Sequence, residues 1–102
     1  MDSFLPRRTY LKKFYITPKQ MCKLYIYIAS HKNIVNTILW KDGFSAVFES
    51  NDKLIRSHWR FRYQEKTGAY EISSNNEYIE RWVEKLIKYK KVVGDNYKIE
   101  EE

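Results

Sequence analysis

Arg56, His58, Arg60 and Arg62 alternate with Ser57, Trp59, Phe61 and Tyr63, the period of an extended strand that carries basic side chains on one face and aromatic rings on the other. On such a strand the basic groups stand about 6.8 Å apart, near the phosphate spacing of an extended nucleic acid. A guanidinium can grip a phosphate or a carboxylate with two parallel hydrogen bonds. These four residues are therefore the candidate partner-binding set. The competing reading is the solvated outer face of an antiparallel sheet whose inner face is Trp59, Phe61 and Tyr63. No RNA-recognition or DNA-binding signature accompanies them, and the alternation turns most aromatic rings inward, away from base stacking.

Signals for catalysis are sparse. His31 and His58 are the only histidines, and neither stands at a metal-ligand spacing. Cys22, the single cysteine, lies in an apolar stretch where a thiol acts as a small hydrophobe, and alone it forms no intrachain disulfide. Gly43, Gly68 and Gly94 are dispersed among turns, so no glycine-rich phosphate loop exists. A metal-dependent nuclease would need carboxylates converging on a divalent ion, commonly beside a lysine. Asp42, Glu49, Asp52 and Glu71 are the acids on or beside the expected strands, and no Glu-x-Lys triplet occurs. The sequence thus points away from an enzyme, with no cofactor and no metal site expected.

Two capped helices and several strands must position the basic set. Thr17-Pro18-Lys19-Gln20 is a helix start, with a hydroxyl and an amide three residues apart and proline at the first helical position. Met21, Leu24, Tyr25, Ile28 and Ala29 follow at helical spacing, and Cys22, Ile26 and Tyr27 make the other face apolar too, so cover on more than one side is expected. Ser74-Asn75-Asn76-Glu77 repeats the capping pattern ahead of Ile79, Trp82, Val83, Leu86 and Ile87. Trp82 is expected at the buried centre of the core.

Period two returns between the helices. Thr37–Lys41 and Phe44–Glu49 flank Asp42-Gly43, which predicts a hairpin with a type I′ turn. Further strands are expected at Tyr10–Ile16, Arg56–Tyr63, Ala69–Ser73 and Tyr97–Glu100. Met21, Leu24 and Ile28 align with Ile79, Trp82 and Leu86, Ile34-Val35 with Val92-Val93, and Phe14-Tyr15-Ile16-Thr17 with Tyr70-Glu71-Ile72-Ser73. The expectation is one α+β domain over residues 1–102, made of two similar strand–helix–hairpin units, about 10–50 and 56–102. The two share one aromatic core about an approximate two-fold axis.

Composition bounds the partner. The net charge of +6 favours an acidic partner, although it also serves solubility. Met1–Arg8 lacks the layout of a signal peptide, and no apolar run approaches membrane-span length, which predicts a soluble, cytoplasmic protein with no membrane partner. The stretches Lys23-Leu24-Tyr25-Ile26-Tyr27-Ile28 and Glu84-Lys85-Leu86-Ile87-Lys88-Tyr89-Lys90-Lys91 resemble in style the small orphan proteins of filamentous viruses that infect hyperthermophilic archaea. That resemblance implies action in the host cytoplasm and assigns no residue a role. The leading expectation is a non-enzymatic interaction module that binds a peptide or protein partner in the groove between the repeated units, where exposed strand edges can also accept an extended segment. The alternative is a basic nucleic-acid-binding protein that uses the Arg-rich strand 56–62.

Overall fold

The computed structural model describes residues 12–100. The elements are β1 (Lys13–Tyr15), α1 (Pro18–Ala29), β2 (Ile34–Trp40), β3 (Gly43–Glu49), β4 (Arg56–Gln64), β5 (Ala69–Ser74), α2 (Glu77–Lys88) and β6 (Lys98–Glu100). The strands form one antiparallel sheet in the order β2-β3-β4-β5-β1-β6. The α+β class is as expected. Tyr10 and Leu11 of the first expected strand, and the Met1–Arg8 segment, lie outside the described residues.

Alternation in the strands decides which face is covered. Phe14, Phe44, Ala46, Trp59, Phe61, Tyr70 and Ile72 share one face of the sheet and form a single buried cluster with Met21, Leu24 and Ile28 of α1 and Ile79, Val83, Leu86 and Ile87 of α2. Both helices therefore lie on that face, α1 over β2 and β3 and α2 over β5. Phe61 sits at the centre, stacked on Tyr70 at 5.1 Å between ring centroids and tilted against Phe44 at 5.3 Å. The core is aromatic and shared by both halves of the chain. No helix among the described residues is long and apolar enough to cross a membrane.

The first helix start forms as predicted. Gln20 donates its backbone N–H to the Thr17 hydroxyl at 3.1 Å, and Thr17 donates its own to the Gln20 side chain at 2.8 Å, closing the capping box. The amide of Gln20 also donates to the carbonyls of Val93 at 3.0 Å and Asn96 at 2.7 Å, which ties the segment after α2 to the start of α1.

The second start differs from its prediction. Asn76, not Ser74, is the N-cap of α2 and accepts the N–H of Tyr78 at 2.9 Å. Ser74 instead ends β5, buried, and accepts the backbone N–H of Asn76 at 3.0 Å. Ordinary dipole complementarity follows, with Glu77 and Glu80 in the first turn and Lys85 and Lys88 in the last.

Four further expectations are corrected. The β2–β3 turn is Lys41-Asp42, with Trp40 paired to Gly43, and neither turn residue has positive φ. The unusual conformation falls on Gly43 at φ +149°, where a Cβ would come within 1.8 Å of the Phe61 carbonyl oxygen. Only glycine fits there. Val92-Val93 forms a turn rather than an exit strand, so among the described residues α2 is followed by β6 alone and no hairpin follows the second helix as one follows the first. Trp82 is half-buried at the rim, edge-on to His31 at 5.1 Å and beside Phe48 at 6.2 Å, while Val83 and Ile87 take the buried centre. Finally, α1 is covered on one side: Cys22 and Ile26 are exposed.

Candidate functional site: the basic sheet face and the β2 edge

No described residue covers the face of the sheet opposite the helices, and the four basic residues of β4 lie on it. Cross-strand register surrounds them with Val47 beside His58, Ser45 and Ser73 on either side of Arg60, and Gly43 and Glu71 on either side of Arg62. The face also receives two acids that their sequence positions do not associate with β4. Arg60 donates to Asp42 Oδ1 at 2.6 Å, Arg62 approaches Asp42 Oδ2 at 3.3 Å, and Arg56 donates to Glu49 Oε2 at 3.3 Å. The hydrogen bond from Arg60 and the positive charge of both arginines hold the Asp42 carboxyl below its ordinary pKa.

Arg60 is further engaged. Its guanidinium lies over the Trp40 ring, 5.3 Å from the centroid, while the Trp40 indole donates to the Ser45 hydroxyl at 3.1 Å. Strand pairing across the hairpin thus brings two carboxylates to the three arginines, which the sequence, with no acid between Arg56 and Tyr63, does not suggest. His58 is exposed; its backbone N–H donates to Asn75 Oδ1 at 3.3 Å. A shallow depression of about 430 Å³ is lined by His58, Trp59, Arg60, Ser73, Ser74 and Asn75. The indole N–H of Trp59 is buried and has no acceptor among the described residues.

Three of the four acids considered above are engaged elsewhere. Asp42 and Glu49 serve the arginines, and Asp52 accepts from the Ser50 hydroxyl at 2.6 Å and the Leu54 N–H at 3.0 Å within its own turn. Among the described residues no three His, Cys, Asp or Glu side chains are grouped so as to hold a metal ion.

The feature that sequence reasoning missed is the edge strand β2. Val35, Ile38, Leu39 and Trp40 are 48%, 46%, 52% and 46% exposed, and no residue from Ile34 to Trp40 is charged. In a chain with 31% charged residues, a neutral strand of seven at a sheet edge is conspicuous. An edge strand also directs every second backbone N–H and C=O away from its neighbour, toward an empty position. Lys32 and Lys41 bracket the strand and are exposed. The missed signal was the neutrality of Ile34–Trp40 between two lysines.

A second groove, about 480 Å³, lies between α1 and the segment after α2 and is lined by Lys23, Ile26, Tyr27, Ser30, Lys90 and Val92. It is the place where the two halves meet on the helical side. Compared with protein-family models, curated proteins and solved structures, the chain matches none.

Proposed function

We propose that this protein is a non-enzymatic interaction module that takes an extended segment of a protein partner onto the free edge of β2. The observation that carries the reading is the unprotected edge itself: seven residues, no charge, four half-exposed apolar side chains and a row of outward backbone groups. Strand addition supplies affinity through main-chain hydrogen bonds, and Ile38, Leu39 and Trp40 supply side-chain contacts on both faces of the added strand. Arg56, His58, Arg60 and Arg62 then border the site on the uncovered face, with Arg60 reaching it through Trp40. The groove between α1 and the segment after α2 is the weaker location, because it offers no open backbone pairing.

Binding of nucleic acid on the basic face is the second reading, supported by the exposure of Arg56, His58 and Arg62. The pairing of the three arginines with Asp42 and Glu49 counts against it, since a phosphate would have to displace carboxylates already in place. The finer architecture is also a proposal. We read β1–α1 and β5–α2 as two equivalent strand–helix units, on the grounds that Phe14 and Tyr70, aligned in the sequence, are direct partners in the sheet. The style of the sequence supports a site of action in the host cytoplasm.

The test is a comparison of wild type with Val35→Lys/Leu39→Lys, which places charge on the edge. Partners captured by wild type should be lost from the variant, and hydrogen exchange in the captured complex should be slowed at residues 34–40. Slowed exchange on α1 or across the β4 face, with residues 34–40 unchanged, would move the site away from β2. Single-stranded RNA bound tightly at physiological salt and released steeply as salt rises would favour the second reading.

A further inference from the structure

We infer that the segment accepted by β2 carries an acidic residue at each end of a neutral, β-branched or aromatic stretch about as long as β2 itself, seven residues. This rests on the strand-addition reading above and names the partner's chemistry.

The inference comes from what an incoming strand meets along the edge. From Ile34 to Trp40 it meets no charge, with Ile38 and Trp40 on the uncovered face and Leu39 on the helical side. Just beyond each end stands a lysine, Lys32 before the strand and Lys41 after it, both exposed and neither within ion-pair distance of a carboxylate among the described residues. The neighbouring acid, Asp42, is held by Arg60 at 2.6 Å and Arg62 at 3.3 Å and offers little to a cation arriving on the edge. The edge is thus cationic at both ends and uncharged between.

An extended chain rises about 3.4 Å per residue, so Ile34–Trp40 spans about 20 Å; Lys32, in the turn closed by the Ile34 N–H on the His31 carbonyl, and Lys41, in the β2–β3 turn, stand just beyond its two ends. That separation exceeds the Debye length of about 8 Å at physiological salt, so the two lysines act as separate local contacts. An acid opposite one lysine and another opposite the second complement the edge in either strand direction.

A second copy of this chain fits less well. An antiparallel pairing of two β2 strands about Thr37 sets Lys41 against Asn33 and Lys32 against the occupied Asp42, and it joins two molecules of net charge +6. The partner the charges favour is therefore a different chain.

The test uses two synthetic peptides with blocked termini, each with a stretch of about seven alternating valines and threonines to match β2, one flanked by aspartates and one by lysines in their place. Amide shifts of residues 34–40 report binding. At about 50 mM salt the aspartate peptide should bind wild type roughly tenfold more tightly than the lysine peptide, because each exposed pair contributes a few-fold, and the preference should shrink as salt rises. Lys32→Glu/Lys41→Glu should reverse the preference. Equal affinity of the two peptides, with shifts confined to residues 34–40, would overturn the acidic motif and leave strand addition standing. Absence of shifts at residues 34–40 with either peptide would overturn both. A dimer of the free protein that protects residues 34–40 and excludes the aspartate peptide would replace the acidic partner with a second copy.

Discussion

The strand at one edge of the sheet, β6, is three residues long and carries Lys98 and Glu100; the strand at the other edge, β2, is seven residues long and carries no charge. The charges of β6 are also tied down. Glu100 accepts from the Tyr15 hydroxyl at 2.8 Å, and Lys98 lies over the Tyr15 ring. Short length and fixed charge are the devices by which proteins block unwanted strand addition. One edge uses both and the other uses neither. The contrast leaves β2, whose one irregularity is the register shift between Ile34 and Asn36, as the more open of the two edges.

The sharpest way to break that comparison acts on the turn that builds β2. Gly43→Ala should destabilise the protein by about 3–5 kcal/mol, because the added methyl meets the Phe61 carbonyl and the φ of +149° disfavours any side chain. Gly94→Ala, on the approach to β6, should cost only about 1–2 kcal/mol, since its φ of +89° is strained for alanine but the space around it is empty. Urea denaturation of both variants checks the difference. Equal losses would mean that the β2–β3 hairpin is not fixed by Gly43.

Changing Arg56, Arg60 and Arg62 together to Ser should cost about 2 kcal/mol, most of it from Arg60, which loses both Asp42 and its contact with Trp40. Melting temperature and partner capture should fall together. The alternation of basic residues alone would have led one to expect the two to separate. A triple variant as stable as wild type would show that the face is merely solvated and that β2 stands without it.

Electrostatic support on the β6 side can be removed by acid. Burial raises the pKa of Glu84, yet hydrogen bonds from Lys12 and Lys88 outweigh it and hold the carboxyl below its ordinary value. A lowered folded-state pKa adds stability that is complete above the unfolded value of about 4.3 and is lost as pH falls through the folded one. Glu84→Gln should therefore be less stable than wild type by about 1 kcal/mol at neutral pH and equal to it in strong acid. A gap that persists at low pH would assign the loss to packing.

The smallest effect belongs to the open edge. Val35→Lys and Leu39→Lys should each change stability by no more than about 0.5 kcal/mol, because both side chains are already half exposed. A large loss at either position in thermal melts would show that β2 is held by contacts of its own and is not a free edge.

The elements with strong local signals were legible in the sequence. The Thr17–Gln20 capping box forms because all its atoms come from four consecutive residues, and β4 alternates as written because Ser57, Trp59 and Phe61 on one face are buried, with only Tyr63 at its end exposed. What depended on neighbours was not legible. Asp42-Gly43 resembles a type I′ turn, but the approach of β4 to Gly43 shifts the turn by one residue. Ser74 resembles a cap, yet burial at the end of β5 leaves that role to Asn76. Cys22 and Ile26 were expected to be covered because they are apolar, and nothing in a helix period says how many layers lie above it. The candidate site divides the same way. The strand of arginines could be read directly, whereas the acids that engage them arrive through sheet register, and the edge position of β2 follows only from strand order.

That strand order also has a kinetic consequence. Strands β2 to β5 form a meander in which each strand pairs with the next in the chain, while β1 joins β5 and β6 across most of its length, Phe14 with Tyr70 and Lys13 with Glu100. Closing short loops is entropically cheap and fast, and closing long ones is slow. The meander should assemble first, around Phe44 and Phe61, with β1 and β6 zipping on afterwards to complete the sheet. Substitutions in β3 and β4 should then slow folding, and those in β1 and β6 should mainly speed unfolding. The edge proposed for the partner belongs to the early half of the molecule, so a nascent chain would display β2 before its two ends have met.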